Sequence, residues 1–147
     1  ILDLDVHQGD GTADIFVGDE RVLTVSLHGE NNFPFRKKTS DYDHGFADGV
    51  DDKEYLKVLD SVLDRFAKET FDLIFFQSGV DGLASDALGL LNLTREGMKE
   101  RNKRVFDWRR KLGKPLLIFM GGGYAKPIED TVDAFSDLFL IASKEVG

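Results

Sequence analysis

The first seven residues alternate between apolar and polar side chains. One set is Leu2, Leu4 and Val6, and the other is Ile1, Asp3, Asp5 and His7. Successive residues of a β-strand point to opposite faces of the sheet. The alternation therefore predicts a strand over residues 1–6 with one aliphatic core face. Its second face carries two carboxylates and an imidazole towards the carboxyl end.

Six further segments have the apolar pattern of a regular element. Residues 21–27, 71–77 and 115–120 are rich in aliphatic and aromatic side chains, which is typical of buried strands. Residues 51–68, 94–112 and 126–142 repeat apolar residues at the spacing of an amphipathic helix. The last helix is expected to bury Val132, Phe135, Leu138 and Phe139.

Capping residues mark the ends of these predicted helices. Asp51 or Asp52 fits the start of the first helix and Thr94 the start of the second, because their oxygens accept hydrogen bonds from free N–H groups. Gly113 fits the end of the second helix. A shorter helix is predicted over residues 13–17, with Asp10 or Thr12 as its cap.

Strands that alternate with helices indicate an α/β fold with a parallel sheet and helices on both faces. In such sheets the carboxyl ends of the strands meet at one edge, where ligands bind. Residues 29–51 lack periodicity and are rich in Asn, Gly, Asp and aromatic residues. They are predicted to form a long ordered loop, a kind of segment that is usually functional.

The charge balance excludes some classes of partner. There are 19 basic and 27 acidic residues, a net charge of −8, which argues against direct nucleic-acid binding. The basic run at residues 95–114 favours the solvated face of a helix, with a contact patch as the alternative. No apolar run is long enough to cross a bilayer, so we expect a soluble chain.

Two carboxylates on a buried strand need a partner, since an unpaired buried ion carries a penalty of several kcal/mol. Asp5 and His7 lie two residues apart on one face and can reach the same cation. A mixed oxygen and nitrogen site suits Zn²⁺ or a similar first-row ion. Because the chain has no cysteine, any metal must be held by His, Asp or Glu.

Other polar residues follow the remaining strands, and each also has an ordinary structural interpretation. An Asp in the position of Asp81, within Ser-Gly-Val-Asp, is usually part of a turn. His28 is more often a surface or packing residue than a ligand. Tyr124 follows three glycines that let a loop fold tightly against a site, and it could equally pack with its hydroxyl on the surface.

The segment Asp3-Leu-Asp-Val-His-Gln-Gly-Asp-Gly11 resembles the metal-binding signature of the zinc-dependent histone deacetylase family, which includes acetoin-utilisation and acetylpolyamine deacetylases. In that family a second histidine commonly follows the ligand histidine. Here Gln8 takes its place, as in the class IV branch and its bacterial relatives. The resemblance implies an arginase/deacetylase-like fold.

The resemblance also implies roles for particular residues. Asp5, His7 and Asp81 would hold one Zn²⁺, and Tyr124 would be the catalytic tyrosine. Asp3 and Asp10 match the carboxylates that orient two imidazoles. Asp3, Ser26 and Leu27 match a structural monovalent cation site for K⁺. Phe33 would wall the substrate tunnel, although Phe33 or Phe35 could instead anchor the loop to the core.

The implied reaction is removal of acyl groups from acyl-lysine in proteins or from acylated polyamines. The family's paired histidines lie upstream of the metal motif, outside this chain. We therefore expect residues 1–147 to be the carboxyl-terminal part of a single catalytic domain, inactive alone, and cytoplasmic if the source is bacterial. The fold is then incomplete, with its amino-terminal part missing.

Two other functions stay open. An arginase-type ureohydrolase would need an Asp two residues after the ligand histidine, where Gly9 stands, and a second Asp near Asp81. A non-catalytic module could instead keep the metal and pocket for acyl-lysine recognition or complex assembly.

Overall fold

The computed structural model describes residues 1–145. Its strands are β1 (Leu2–Asp3), β2 (Val25–Gly29), β3 (Tyr42–Phe46), β4 (Ile74–Gln77) and β5 (Leu116–Phe119). Its α-helices are α1 (Asp10–Ile15), α2 (Asp52–Arg65), α3 (Arg95–Leu112) and α4 (Glu129–Ala142), followed by a 3₁₀ turn at Ser143–Glu145. The strands form one parallel sheet in the order β3-β2-β1-β4-β5.

The order in which strands are added to the sheet reverses at β1. The chain first moves outwards to β2 and β3 and then returns to place β4 and β5 on the other side of β1. Because crossovers between parallel strands are right-handed, this reversal puts α1 on one face and the later helices on the opposite face. The predicted parallel α/β fold with helices on both faces is confirmed. The reversal also creates a crevice at the carboxyl ends of β1 and β4, where such sheets bind ligands.

The hydrophobic core lies between the sheet and helices α2, α3 and α4. Leu2, Leu4 and Val6 are all buried in it, as the alternation at the start of the chain predicts. Burying an aliphatic side chain of this kind contributes about 1.5–3 kcal/mol relative to leaving it exposed. The core thus holds β1 firmly, and the polar residues that alternate with these three project to the other face.

The ends of the two long central helices agree with the sequence. The Asp51 carboxylate accepts a hydrogen bond from Glu54 N at 3.0 Å, and Thr94 Oγ1 accepts one from Gly97 N at 3.0 Å. Gly113 ends α3 in the left-handed conformation, with φ of 64°. The prediction for α1 is wrong, since this helix begins at Asp10 after Gly9 and has no side-chain cap.

Two further predictions about elements are wrong. Residues 29–51 contain β3, which sequence patterning missed because Tyr-Asp-His-Gly-Phe has little apolar character and pairs as an edge strand with β2. Helix α4 buries Ala134, Phe135 and Leu138, while Val132 and Phe139 are 58% and 45% exposed. Helix α4 packs against α3 on one side, so fewer of its apolar side chains are buried than predicted.

Most of the basic run at residues 95–114 is the solvated face of α3. Its side chains form ion pairs with nearby acidic groups, including Arg95 with Asp133 and Arg110 with Glu145. Arg101 is the exception, being only 1% exposed. No helix within residues 1–145 is both long and apolar enough to span a bilayer.

Candidate metal centre

Three predicted ligands meet in the crevice between β1 and β4. Asp5 and His7 follow β1, and Asp81 follows β4. One ligand atom from each, an imidazole nitrogen or a carboxylate oxygen, lies within 4.8 Å of the others. Within residues 1–145 this is the only group of three or more His, Asp or Glu side chains with such spacing.

Backbone amides fix the two carboxylates. Asp81 Oδ1 accepts a hydrogen bond from Val6 N at 2.9 Å, and Asp5 Oδ2 accepts one from Gly122 N at 2.8 Å. The remaining oxygens face His7 Nδ1, at 2.9 Å from Asp5 Oδ1 and 3.1 Å from Asp81 Oδ2. One oxygen of each carboxylate and one ring nitrogen therefore converge on the same small volume.

The electrostatics of this cluster favour a positive charge at its centre. Hydrogen bonds to Asp5 and Asp81 raise the pKa of His7 to about 10. Burial raises the pKa of Asp81. Burial also opposes ionisation of Asp5, but hydrogen bonds from His7 and Gly122 outweigh it and lower the pKa of this carboxyl. A divalent cation can replace the His7 proton, and the donor set of two oxygens and one nitrogen fits Zn²⁺ with an open position.

Glycines allow the surrounding backbone to approach the carboxylates. A Cβ added at Gly79 or Gly121 would overlap Asp5 Oδ2, and one added at Gly122 would overlap Asp81 Oδ2. The loop after β5 folds tightly against the site, as its three consecutive glycines predict. A larger residue at Gly122 would push the loop away from both carboxylates.

Asp3 is buried two residues before Asp5 and lines the same cavity. The residue is 8% exposed, its carboxylate accepts a hydrogen bond from Asp5 N at 3.1 Å, and burial raises its pKa to about 7. Asp3 is in register with Ser26 on the adjacent strand, and Leu27 is fully buried beside it. The structure thus brings together the residues predicted to hold a monovalent cation, while their role stays a prediction.

A cavity of about 480 Å³ opens beside Asp3, Asp5 and His7. It lies on the sheet face that carries α1, and the aromatic rings of Phe75 and Phe119 form part of its wall. The buried carboxylates are therefore reachable from this face. Asp10 is half-buried at the first position of α1 and does not contribute to the three-residue cluster.

Tyr124 follows the glycine loop after β5 and is 60% exposed. It lines a separate surface cavity of about 320 Å³ and is not among the residues that line the cavity beside Asp5 and His7. Its backbone N–H donates to Asp86 Oδ2 at 2.6 Å, and its carbonyl accepts from Ala87 N at 3.1 Å. These contacts tie the loop after β5 to the segment that follows Asp81. Asp86 therefore fixes the backbone of Tyr124, a function that the sequence alone does not reveal.

Phe33 is also at the surface, 61% exposed, with its ring edge-to-face against Phe35. The interpretation that these rings anchor the loop to the core is wrong. Buried Asn32 is the anchor, since its amide donates to Leu88 O at 2.9 Å and accepts from Leu90 N at 3.2 Å. His28 is buried and contacts Ser26 Oγ at 3.0 Å, as expected of a packing residue.

Gln8 has a structural function that the sequence does not indicate. Its amide nitrogen donates to Lys38 O at 2.8 Å and Asp43 Oδ1 at 2.9 Å, and its amide oxygen accepts from Lys38 N at 2.8 Å. The side chain is buried and joins the metal-motif segment to the segment before β3 and to β3 itself. Gln8 thus holds the segment that follows β1 against β3 and the residues before it.

Comparisons with known proteins agree with this arrangement. The family described as histone deacetylase domain matches residues 1–137. An uncharacterized protein of Picosynechococcus is 46% identical over 133 residues, covering 90% of this chain and 44% of that protein. Histone deacetylase 2 of Arabidopsis thaliana is 31% identical over 153 aligned residues, covering 98% of this chain and 39% of that protein.

Solved structures show the same architecture. A histone deacetylase homolog from Aquifex aeolicus has a TM-score of 0.75 and 27% identity, with 96% of this chain and 41% of that chain covered. Acetylpolyamine aminohydrolase from Burkholderia pseudomallei has a TM-score of 0.72 at 19% identity, covering 95% and 44%, which is a likeness of fold. The chain spans less than half the length of each of these four proteins.

Proposed function

Because this chain belongs to the histone deacetylase family, we propose that it carries the metal ligands and catalytic tyrosine of a hydrolase that removes acetyl groups from acylated amines. The observation that carries the proposal is the convergence of Asp5, His7 and Asp81 at the point where the strand order reverses. Substrates of the proposed activity are acetylated lysine in a protein or an acetylated polyamine.

The residues present fit a single zinc ion. Asp5, His7 and Asp81 would hold Zn²⁺, which when bound polarises the amide carbonyl and activates water. The backbone amides of Val6 and Gly122 keep the two carboxylates in place for this task. A single three-residue cluster within residues 1–145 favours this proposal over the two-ion site of an arginase-type enzyme.

Tyr124 is proposed to stabilise the reaction's negative charge. Its phenol donates a hydrogen bond to the carbonyl oxygen as this atom becomes an oxyanion, a contact worth about 3 kcal/mol in other acyl-transfer sites. The side chain is 60% exposed and follows Gly122, whose N–H donates to Asp5 Oδ2, so it is accessible to substrate two residues from a contact with the site. The exposed ring of Phe33 is proposed to line the entrance for the acylated side chain.

The remaining predicted residues act as supports. Asp3 and Asp10 are proposed to orient two imidazoles supplied from outside this chain. Asp3, with Ser26 and Leu27, is also proposed to bind K⁺. Burial of Asp3 beside Ser26 supports that part, since a cation would offset the penalty of a buried carboxylate.

Removal of the metal tests the proposed function. The protein in its natural full length is expected to deacetylate an acetyl-lysine peptide, lose this activity on treatment with a chelator, and regain it when Zn²⁺ is added back. The measurement is amine release, with circular dichroism as the control that chelation leaves the fold intact. Turnover that resists chelation would contradict the proposal, and metal-dependent peptide binding without turnover would favour a non-catalytic module.

The 147-residue chain alone is expected to deacetylate the same peptide at a rate near background. Its histidines are His7, His28 and His44, so it contains no adjacent pair to act as general base. The same assay with added Zn²⁺ checks this, with zinc binding by calorimetry as the control that the site is intact. Robust turnover by the chain alone would mean that its own residues supply the base.

A further inference from the structure

Arg101 of α3 is buried although it belongs to a run of basic residues that is otherwise solvated. Arg101 is 1% exposed, whereas Arg104 and Arg110 of the same helix are ion-paired with the exposed carboxylates of Asp60 and Asp107. Transfer of a guanidinium into the protein interior is unfavourable unless its donors are satisfied. Such a residue is expected to perform a task that an apolar side chain could not.

All five N–H groups of Arg101 are used. Nη1 donates to Gly79 O at 2.7 Å and Leu4 O at 3.2 Å, and Nη2 donates to Ser78 O at 3.3 Å. Nε and Nη2 donate to Asn102 Oδ1 at 3.1 and 3.0 Å. The guanidinium also lies 5.7 Å from the ring centroid of Phe76. These contacts fix the position of the Arg101 guanidinium.

The three carbonyl groups belong to residues just after β1 and β4. Leu4 immediately precedes Asp5, and Ser78 and Gly79 lead from β4 towards Asp81. Regular pairing between the strands stops here, after the hydrogen bond from Leu4 N to Gln77 O at 3.0 Å. Arg101 therefore spans the two strands at the place where their own hydrogen bonds end and the segments that bear the metal ligands enter the crevice.

We propose that Arg101 is a positioning residue of the metal centre, which sets the separation of the segments bearing Asp5 and Asp81 by binding their backbone carbonyls. The inference rests on the proposed function, because it requires that these carboxylates bind a metal ion. If the role of Arg101 were purely structural, its substitution would change the stability of the protein and leave the coordination of the metal ion unaltered.

The test is Co²⁺ binding by Arg101→Lys in the protein of natural full length, followed by visible absorption. Lysine keeps the positive charge, but it lacks the planar fork that reaches carbonyls on two strands at once. We expect Co²⁺ affinity to fall about 10- to 100-fold, the range typical for loss of groups that orient metal ligands, together with a changed absorption spectrum. Arg104→Lys on the same helix is the matched control and is expected to bind Co²⁺ unchanged.

Unchanged affinity and spectrum in Arg101→Lys would overturn the inference while leaving the proposed function intact. If the unaltered protein binds no Co²⁺, the proposed function fails and the inference fails with it. If Arg101→Lys does not fold, Asn102→Ala decides, since it removes the acceptor that holds two of the guanidinium N–H groups. Weaker Co²⁺ binding by folded Asn102→Ala would support the inference, and unchanged binding would overturn it.

Discussion

Asp81→Asn is expected to bind zinc far more weakly and to reduce deacetylase turnover almost to background. The asparagine side chain has the same shape and keeps an oxygen for the Val6 N–H, but it removes a charged ligand from the centre of the cluster. The loss should exceed the roughly 10- to 100-fold decrease seen when a group that merely supports a ligand is removed. Calorimetric titration with Zn²⁺ and the peptide assay measure the two effects.

The same substitution should lower the melting temperature of the metal-free protein. Asp81 is fully buried and faces His7 Nδ1 at 3.1 Å, a contact that helps to raise the pKa of His7 to about 10. Asparagine removes the negative partner of this buried pair, and the loss of one partner of a buried ion pair is destabilising. Asp14→Asn, at an exposed ion pair with Lys38, is the control. Normal zinc affinity in Asp81→Asn would rule out this residue as a ligand.

Tyr124→Phe is expected to lower kcat by about 100- to 1000-fold, or roughly 2.7–4 kcal/mol in transition-state stabilisation. The change removes the phenolic O–H but keeps the ring and the backbone hydrogen bond to Asp86. Zinc affinity and KM should therefore be nearly unchanged, because the hydroxyl acts on the charge that develops during reaction. Steady-state kinetics on an acetyl-lysine peptide separate the two parameters.

Tyr42→Phe provides the matched control for Tyr124→Phe. Tyr42 lies on β3, where its ring contacts Phe66, and it is not among the residues of the crevice. Its loss of a hydroxyl should leave kcat unaltered. A wild-type kcat in Tyr124→Phe would exclude the proposed oxyanion contact, whereas a rise in KM alone would indicate that the tyrosine only binds substrate.

Asp5 and His7 could be predicted as ligands from their residues, because they share a strand face by simple alternation. Asp81 follows a separate apolar strand, but its local sequence fitted a turn, and only the family resemblance predicted it as a ligand. Parallel strands bring such ends to one edge. The tertiary structure adds the distances between the ligand atoms, together with the bonds from Val6 and Gly122 that aim the carboxylates.

The burial of Arg101 is indicated by helical spacing, but the basic composition of the segment favoured exposure. Residues 98, 101, 102 and 105 lie on one face of α3, and all four are buried. The helical spacing therefore places Arg101 and Asn102 on the core side. Nine basic residues between positions 95 and 114 favoured a solvated face instead, and that interpretation holds for the others.

The sequence alone determined three features of this protein. They are the strand alternation at Leu2, Leu4 and Val6, the helix caps at Asp51 and Thr94, and the parallel α/β class. These features depend on side chains close together along the chain, whose preferences are local. The pairing of β3, the attachment of Gln8 to Lys38 and the three carbonyls bound by Arg101 were decided only by tertiary structure. Their partners lie 17 to 97 residues away, and a sequence pattern does not specify which distant backbone group a polar side chain will meet.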